Sequence, residues 1–262
     1  MYVQIAILNI PLGIDEGEVF MFGEIDRKKL LLDSKRPLPE HTVKSIREQL
    51  LLEWTYNSNA IEGNTLTLIE TKVVLEGITV GGKTLREHLE VINHRDAILY
   101  VEDIVTNNEP LTEWQIKNIH RLVLKGINDS YAGAYRDQQV IIAGAKHIPP
   151  EPFLIKDEME ELIRWYDNDA RSLHPVERAA LLHIIFVGIH PFIDGNGRTS
   201  RLLLNLELMK NGYPPIVIRN ENRIKYYTAL DKAHVTKEYE DFIELVTEEL
   251  NKTLDLYLNL IK

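Results

Sequence analysis

The chain has 262 residues, of which 44% are hydrophobic, and a formal net charge of -10. This composition can supply the core of one large domain, and the acidic balance excludes a general attraction to nucleic acid or anionic lipid. Because cysteine is absent, disulfide bonds and thiolate metal sites are excluded as well. The apolar N-terminal stretch is too short to span a bilayer and lacks a basic leader, so we expect a soluble cytoplasmic protein.

Residues 1–40 contain short β-like pieces, MYVQIAIL and EVFMFGEI, among proline and glycine, and are predicted to form an irregular lead segment. From His41 onward apolar residues recur every three or four positions, which predicts a helix over about 41–63. Thr67 and Glu70 are typical of a capping box at the start of the next helix. Further helices are predicted at 84–106, 112–126, 155–170, 175–188, 197–211, 221–234 and 237–260.

The stretch YRDQQVIIAGAKHIPPEP interrupts this helical pattern. It has β-branched residues at Val140–Ile142, a turn residue at Gly144 and a proline-rich exit, which together predict a β-hairpin. The expected fold is therefore an all-α domain over 41–262 that carries one β-hairpin.

Residues 190–201, HPFIDGNGRTSR, place dense polar chemistry between two apolar helices. Pro191 disfavours helical geometry at His190, so the preceding helix must end there and leave the imidazole free to face a pocket. Gly195, Asn196 and Gly197 then lead into the next helix, whose first N–H groups lack internal partners at its positive pole. This arrangement predicts an anion-binding cradle.

Arg198 and Arg201 lie at the start of that helix, where their charge opposes the helix dipole, and such local conflicts tend to mark functional sites. A polyanion would resolve the conflict. Asp194 is a candidate ligand for a divalent cation between phosphates, and His190 can take a proton from a hydroxyl. The set predicts phosphoryl or nucleotidyl transfer. A structural helix connection, with Asp194 or Asn196 as an N-cap, is the alternative.

The same stretch resembles the Fic motif, H-P-F-x-(D/E)-G-N-G-R-x-x-R, and matches every fixed position. The similarity covers roughly residues 40–250 and implies a Fic-type helical bundle with its core at about 84–250. Upstream it resembles the flap region of Fic domains at Gly133, Tyr135, Arg136, Val140, His147, Pro149 and Pro150. Downstream it continues through Tyr226 and Tyr227 to about Phe242.

The resemblance implies an enzyme that transfers AMP from ATP to a Ser, Thr or Tyr hydroxyl of an unidentified protein target. It implies that His190 is the base and that Asp194 binds the cofactor Mg²⁺. The phosphates would be held by Gly195, Asn196 and Gly197 at the α position, by Arg198 at the β position and by Arg201 at the γ position. Asn196 and Arg198 complete the catalytic set with His190.

Two further regions take implied roles. The flap residues Val140, Ile141 and Ile142 would dock the extended backbone of the target by strand addition. Tyr227 and His234 are candidate neighbours of the adenine. A core or rim position on an amphipathic helix is the alternative for both.

The segment SNAIEGN, residues 58–64, resembles the Fic inhibitory motif, (S/T)-x-x-x-E-(G/N), through Ser58, Glu62 and Gly63. An independent argument supports it, because Glu62 at the C-terminal end of its helix faces the negative pole of that helix. An external cation would relieve this conflict, and Arg201 is the candidate. A solvated glutamate at a frayed helix end is the alternative.

Other functions are alternatives to AMP transfer. Removal of AMP from the same target would use Glu62 to orient a water, and a non-catalytic nucleotide sensor would bind ATP without turnover. A metallohydrolase site at His174, His183 and His190 lacks suitable spacing, and His183 is predicted to be a core histidine with a backbone partner. Apolar positions left over on the helices at 84–106 and 237–260 would suit a homodimer.

Overall fold

The computed structural model describes residues 16–261, with side chains from Phe22 onward, as ten α-helices joined by turns. The helices are α1 Glu16–Ser34, α2 Glu40–Ile61, α3 Leu68–Leu75, α4 Leu85–Thr106, α5 Glu113–Leu124, α6 Ile155–Asp167, α7 Pro175–Ile189, α8 Asn196–Lys210, α9 Arg223–Thr236 and α10 Glu240–Leu260. Short 3-10 helices occur at Pro152–Leu154, Asp169–Ser172 and Asn220–Asn222. Within residues 16–261 no β-strand is formed, which confirms the all-α class for this part of the chain.

The core is organised around α7 and α8, which pack directly against each other. Nearly every side chain of α7 from Val176 to Ile189 is buried, because neighbouring helices cover it on all sides. The inhibitory segment predicted from sequence forms the end of α2, which packs on both α4 and α8. The predicted capping box at Thr67 and Glu70 is confirmed at the start of α3. None of the helices described is both long and apolar enough to cross a membrane.

The prediction of an irregular lead segment is wrong for residues 16–34, which form α1. Phe22, Ile25 and Leu32 are buried, and their spacing of three and seven places them on one face of a helix. This helix packs on α10, and Lys28 forms a salt bridge to Asp255 of α10 at 2.8 Å. The β-like prediction for EVFMFGEI is wrong because packing on α10, distant in sequence, stabilises the helical conformation. The piece MYVQIAIL lies outside the described residues.

The segment 133–151, called the flap segment below, does not form the predicted β-hairpin ladder. The predicted turn does exist, since the Ala145 N–H donates to the Ile142 carbonyl at 3.1 Å and Gly144 has a φ of +84°. Pro149 and Pro150 carry no N–H groups, so this side of the hairpin cannot donate to a ladder at those positions.

Side chains replace the missing ladder in the flap segment. Arg136 Nη2 donates to the Pro150 carbonyl at 2.5 Å, and Gln139 Nε2 donates to the Pro149 carbonyl at 2.9 Å. At the turn, Asp231 of α9 accepts the N–H groups of Lys146 and His147 at 2.8 and 3.1 Å. The flap segment is therefore held against the helical domain without being a β-sheet.

Candidate active site

The turn after α7 positions His190 as the sequence predicted. The helix ends at Ile189, and His190 adopts a left-handed conformation with a φ of 50° and a ψ of 57°. A non-glycine residue in this region costs roughly 1 kcal/mol or more and persists only where its surroundings impose the conformation. Here the buried Arg136 imposes it, because its Nε donates to the His190 carbonyl and its N–H to the Pro191 carbonyl, both at 2.9 Å.

The ring of His190 has the properties of a base. Its Nδ1 lies 3.3 Å from the Val187 carbonyl, and donation to that carbonyl leaves the lone pair on Nε2. Burial lowers the pKa of His190 to about 4, so the ring is neutral at pH 7. The ring lines a cavity of about 480 Å³, where Nε2 can accept a proton.

The side chain of Asn196 bonds to the loop itself and does not face a ligand. Its Oδ1 accepts the Phe192 N–H at 3.0 Å and its Nδ2 donates to the Phe192 carbonyl at 2.8 Å. The side chain is thus used to brace the loop between α7 and α8. Its backbone N–H, like that of Gly197, is in the first turn of α8 and lacks an intrahelical acceptor. A ligand would therefore meet the Asn196 backbone rather than the amide side chain.

His120 of α5, which was not predicted from the sequence, supports the same loop. Its Nε2 donates to the Asp194 carbonyl at 2.8 Å, and its Nδ1 accepts the Gly133 N–H at 2.9 Å. The ring stacks on Phe192 with centroids 3.5 Å apart. A Cβ on Gly195, which has a φ of +78°, would approach the His120 ring to 3.3 Å. The hydrogen bond between His120 and Asp194 spans 74 residues, and no local sequence pattern indicates it.

Asp194 is held by two guanidinium groups. Arg86 donates to it at 2.7 Å and Arg198 at 3.1 Å. Although burial disfavours the carboxylate, Arg198, the Gly195 amide and Arg86 keep the pKa of Asp194 below its ordinary value. The ionised side chain is 39% exposed.

Within residues 16–261 no cluster of three or more metal-ligating side chains exists. Mg²⁺ is commonly held by one or two carboxylates together with substrate phosphates. A single ionised and accessible Asp194 fits that mode of binding and does not fit a metal cage made of protein side chains alone.

The predicted pairing of Glu62 with Arg201 is present. The Arg201 Nη2 donates to Glu62 Oε1 at 2.7 Å. Three further hydrogen bonds of the buried guanidinium go to Ser58 Oγ at 2.9 Å, the Ser58 carbonyl at 2.8 Å and Tyr226 Oη at 3.2 Å. A Cβ on Gly197 would collide with Glu62 Oε1. The carboxylate therefore lies directly over the first turn of α8.

The end of α2 has a second tie to the cavity. Glu62 is the C-cap of α2, and Gly63 follows it with a φ of +95°. One residue earlier, the Ile61 carbonyl accepts a hydrogen bond from Tyr227 Oη at 3.1 Å. Burial raises the pKa of Tyr227 to about 12, so this phenol remains a donor at neutral pH.

The cavity collects most of the other residues that the sequence singled out. Tyr227 and His234 line it from α9, and Ile142 lines it from the flap segment. His234 Nε2 is 2.8 Å from the Ile184 carbonyl, which fixes its ring. Of the remaining flap residues, Val140 is half-buried and Ile141 is 88% exposed.

Some residues of the site were misjudged from sequence. His183 is a buried core histidine as predicted, but its partners are the hydroxyls of Tyr226 and Ser200, both at 3.0 Å, rather than a backbone group. Asp231 was missed as a cavity residue. Its spacing of four from Tyr227 and three from His234 on one helix would have indicated it.

These features coincide with a known family. The Fic/DOC family model matches residues 110–208, which include the loop and α8. A Fic domain containing signaling protein from Bacteroides thetaiotaomicron has a similar structure, with a TM-score of 0.83 and 32% identity over 92% of this chain and 96% of that one. The chain belongs to the Fic family.

Curated relatives carry a more particular name. The protein adenylyltransferase Fic of Nematostella vectensis is 39% identical over 241 residues, covering 91% of this chain and 56% of that protein. The protein adenylyltransferase Fic of Drosophila melanogaster is 38% identical over 243 residues, covering 89% and 49%. The chain therefore spans about half the length of the curated relatives it matches.

Proposed function

We propose that the chain transfers AMP from ATP to a Ser, Thr or Tyr hydroxyl of a protein, and that Glu62 holds this activity at a low level. The observation that carries the proposal is the neutral His190 ring on the same cavity as the first turn of α8. A base for a hydroxyl thus faces a site for phosphate oxygens. The name of the relatives, protein adenylyltransferase, supports the same reaction.

In this proposal the target oxygen attacks the α-phosphorus while His190 Nε2 takes the hydroxyl proton. The bond from the α-phosphorus to the bridging oxygen of the β-phosphate breaks, and pyrophosphate leaves. The N-terminal amides of α8 at Asn196 and Gly197 stabilise the charge on the α-phosphate, and Arg198 that on the leaving group. Mg²⁺ held by Asp194 would neutralise the α- and β-phosphates.

The low activity follows from competition for Arg201. Nε, Nη1 and Nη2 of its guanidinium all donate to Glu62, Ser58 or Tyr226, and Nη2 makes two of these bonds, so the γ-phosphate of ATP has to compete with Glu62 for this side chain. Glu62 also places a negative charge over the start of α8, where a triphosphate would lie. A nucleotide that binds under these conditions sits with its α-phosphate out of line for attack.

The flap segment supports a docking role. Ile141 is 88% exposed at the edge of the cavity lined by Ile142. An extended target peptide can pair with this backbone by strand addition, which positions a hydroxyl near His190. Such contacts are made by the main chain and carry little sequence preference.

Removal of AMP is the second candidate, because Glu62 lines the same cavity as His190. A carboxylate at this place can orient a water toward a bound AMP-modified side chain. The test of both functions is incubation with α-labelled ATP and Mg²⁺, with detection of label on protein, using Glu62→Gly for transfer and the wild type, which keeps Glu62, for removal. Covalent label supports transfer, loss of label from premodified protein supports removal, and nucleotide binding without either contradicts both.

We also propose a homodimer through the apolar positions left over on α4 and α10. Leu85 of α4 is 75% exposed and Leu260 of α10 is 52% exposed. The mass in solution by light scattering tests this: twice the chain mass supports the dimer, and the chain mass itself contradicts it.

A further inference from the structure

The carboxylate of Asp194 has two oxygens with different partners. Oδ1 accepts the Gly195 N–H at 2.6 Å and Arg198 Nη2 at 3.1 Å. Oδ2 accepts Arg86 Nη2 at 2.7 Å. Arg86 reaches it from the first turn of α4, 108 residues away in sequence. The loop thus uses one oxygen for its own conformation and leaves the other to a side chain from elsewhere.

We propose that Arg86 occupies the oxygen of Asp194 at which a divalent cation binds, and thereby sets the cation concentration that the site requires. This inference rests on the proposed metal role of Asp194. A cation at Oδ1 would have to displace the Gly195 amide that fixes the anion-binding loop. A cation at Oδ2 displaces only Arg86, whose side chain is 57% exposed and can move into solvent.

Glu90 makes this displacement feasible. Arg86 Nε donates to Glu90 Oε1 at 3.0 Å, so the guanidinium keeps a counterion when it leaves Asp194. Glu90 is itself fixed, because its Oε2 accepts Asn64 Nδ2 at 2.9 Å and its Oε1 lies 3.5 Å from Arg198. Arg86 can therefore turn about a stationary carboxylate.

Charge explains why the two occupants exclude each other. A guanidinium and a divalent cation at one carboxylate oxygen repel, and a carboxylate that gives up a cationic hydrogen bond must be compensated by the metal. Removing Arg86 abolishes both the repulsion and the hydrogen bond. The apparent affinity for the cation then rises, whether or not any transfer takes place.

The experiment measures Mn²⁺ binding by water-proton relaxation enhancement, with a saturating β,γ-imido analogue of ATP. All proteins carry Glu62→Gly, so that the phosphate site is open. Arg86→Gln is expected to bind Mn²⁺ roughly twofold to fivefold more tightly, the range for an exposed ion pair. Arg47→Gln is the matched control, since Arg47 of α2 is an exposed arginine that pairs with Glu102 of α4. The Mn²⁺ affinity of this variant should equal that of the parent protein.

A second variant separates this inference from the proposed function. Asp194→Asn should lose most of the Mn²⁺ affinity. If it does and Arg86→Gln binds Mn²⁺ no more tightly than the parent protein, Arg86 does not compete with the metal and the inference is overturned while the proposed function stands. If Asp194→Asn binds Mn²⁺ as the parent protein does, the metal role of Asp194 fails, and the inference fails with it.

Discussion

Two helices of this protein end in the same two residues with nearly the same backbone. Glu62 caps α2 with φ and ψ of -85° and 4°, and Glu76 caps α3 with -79° and 0°. The glycines that follow have φ values of +95° and +85°. Yet Glu76 has a partner in Lys72 of its own helix at 4.0 Å, whereas Glu62 reaches Arg201, 139 residues away, at 2.7 Å.

The difference shows that the Glu–Gly ending is an ordinary helix terminus, and that the partner determines its consequence. Both carboxylates oppose the dipole of their helix, which costs a few tenths of a kcal/mol. At α3, where Glu76 and Lys72 are both more than half exposed, water screens the conflict. At α2 the buried Arg201 resolves it, and Arg201 in turn opposes the dipole of α8. The ion pair between Glu62 and Arg201 thus offsets the unfavourable dipole interaction of both side chains.

The largest effect is expected from removal of His190, the proposed base for the transfer that Glu62 restrains. In the Glu62→Gly background, His190→Ala should lower AMP transfer by at least about a hundredfold, the usual worth of a positioned base. ATP affinity should persist, because the amides of α8 and both arginines remain. Label transfer and nucleotide titration measure the two quantities.

His41→Ala is the control for this substitution, since His41 is an exposed histidine at the start of α2. It should leave both quantities unchanged. Transfer by His190→Ala at the parental rate would remove His190 from the mechanism.

A smaller effect is expected from Tyr227, whose hydroxyl group holds the end of α2 at the cavity. Tyr227→Phe removes the hydrogen bond to the Ile61 carbonyl but keeps the ring. One such bond is worth about 0.5–1.5 kcal/mol, so transfer should rise roughly twofold to tenfold in otherwise wild-type protein. In the Glu62→Gly background it should have no further effect.

Tyr257→Phe on α10 is the control for loss of a phenol oxygen outside the cavity. A drop in transfer with Tyr227→Phe in both backgrounds would instead place the phenol on the nucleotide.

The smallest effect concerns pH. Because the pKa of His190 is lowered to about 4, this proposed base stays neutral in the unliganded protein on acidification through the ordinary histidine range near 6.5. Since kcat/KM reports the free enzyme, kcat/KM of the Glu62→Gly protein should stay nearly flat from about pH 8 to about pH 5.5. An acid limb centred near 6.5 would show that the His190 ring is not held in the buried state described.

Sequence reasoning reached the features that are encoded locally. Pro191 indicated the end of α7, and spacing predicted most helices within a few residues of their bounds. The resemblance to the Fic motifs, supported by the dipole conflicts, predicted Glu62 and Arg201 as a pair.

The lead helix α1 was misjudged because the β-like piece EVFMFGEI obscured the helical spacing of Phe22, Ile25 and Leu32, and packing on α10 decides between the two. The flap segment was misjudged because Arg136 and Gln139 supply its hydrogen bonds in place of a ladder.

The supporting residues of the site were out of reach for a different reason. His120 and Arg86 contact Asp194 across 74 and 108 residues. Neither lies in a pattern that differs from an ordinary helix. Their roles arise from packing of α4 and α5 beside the loop, and a single sequence does not contain that arrangement in readable form.

The central claim is that Glu62 restrains AMP transfer by withholding Arg201. Its most direct test is self-modification, measured by intact mass with ATP and Mg²⁺, in wild type, Glu62→Gly, Glu62→Gly with Arg201→Ala, and Glu76→Gly. We expect Glu62→Gly to raise self-modification by at least about tenfold, the factor that 1.4 kcal/mol of barrier represents. The double variant should lose this gain, and Glu76→Gly should behave as wild type. Equal, low modification in wild type and Glu62→Gly, with ATP bound to both, would contradict the account.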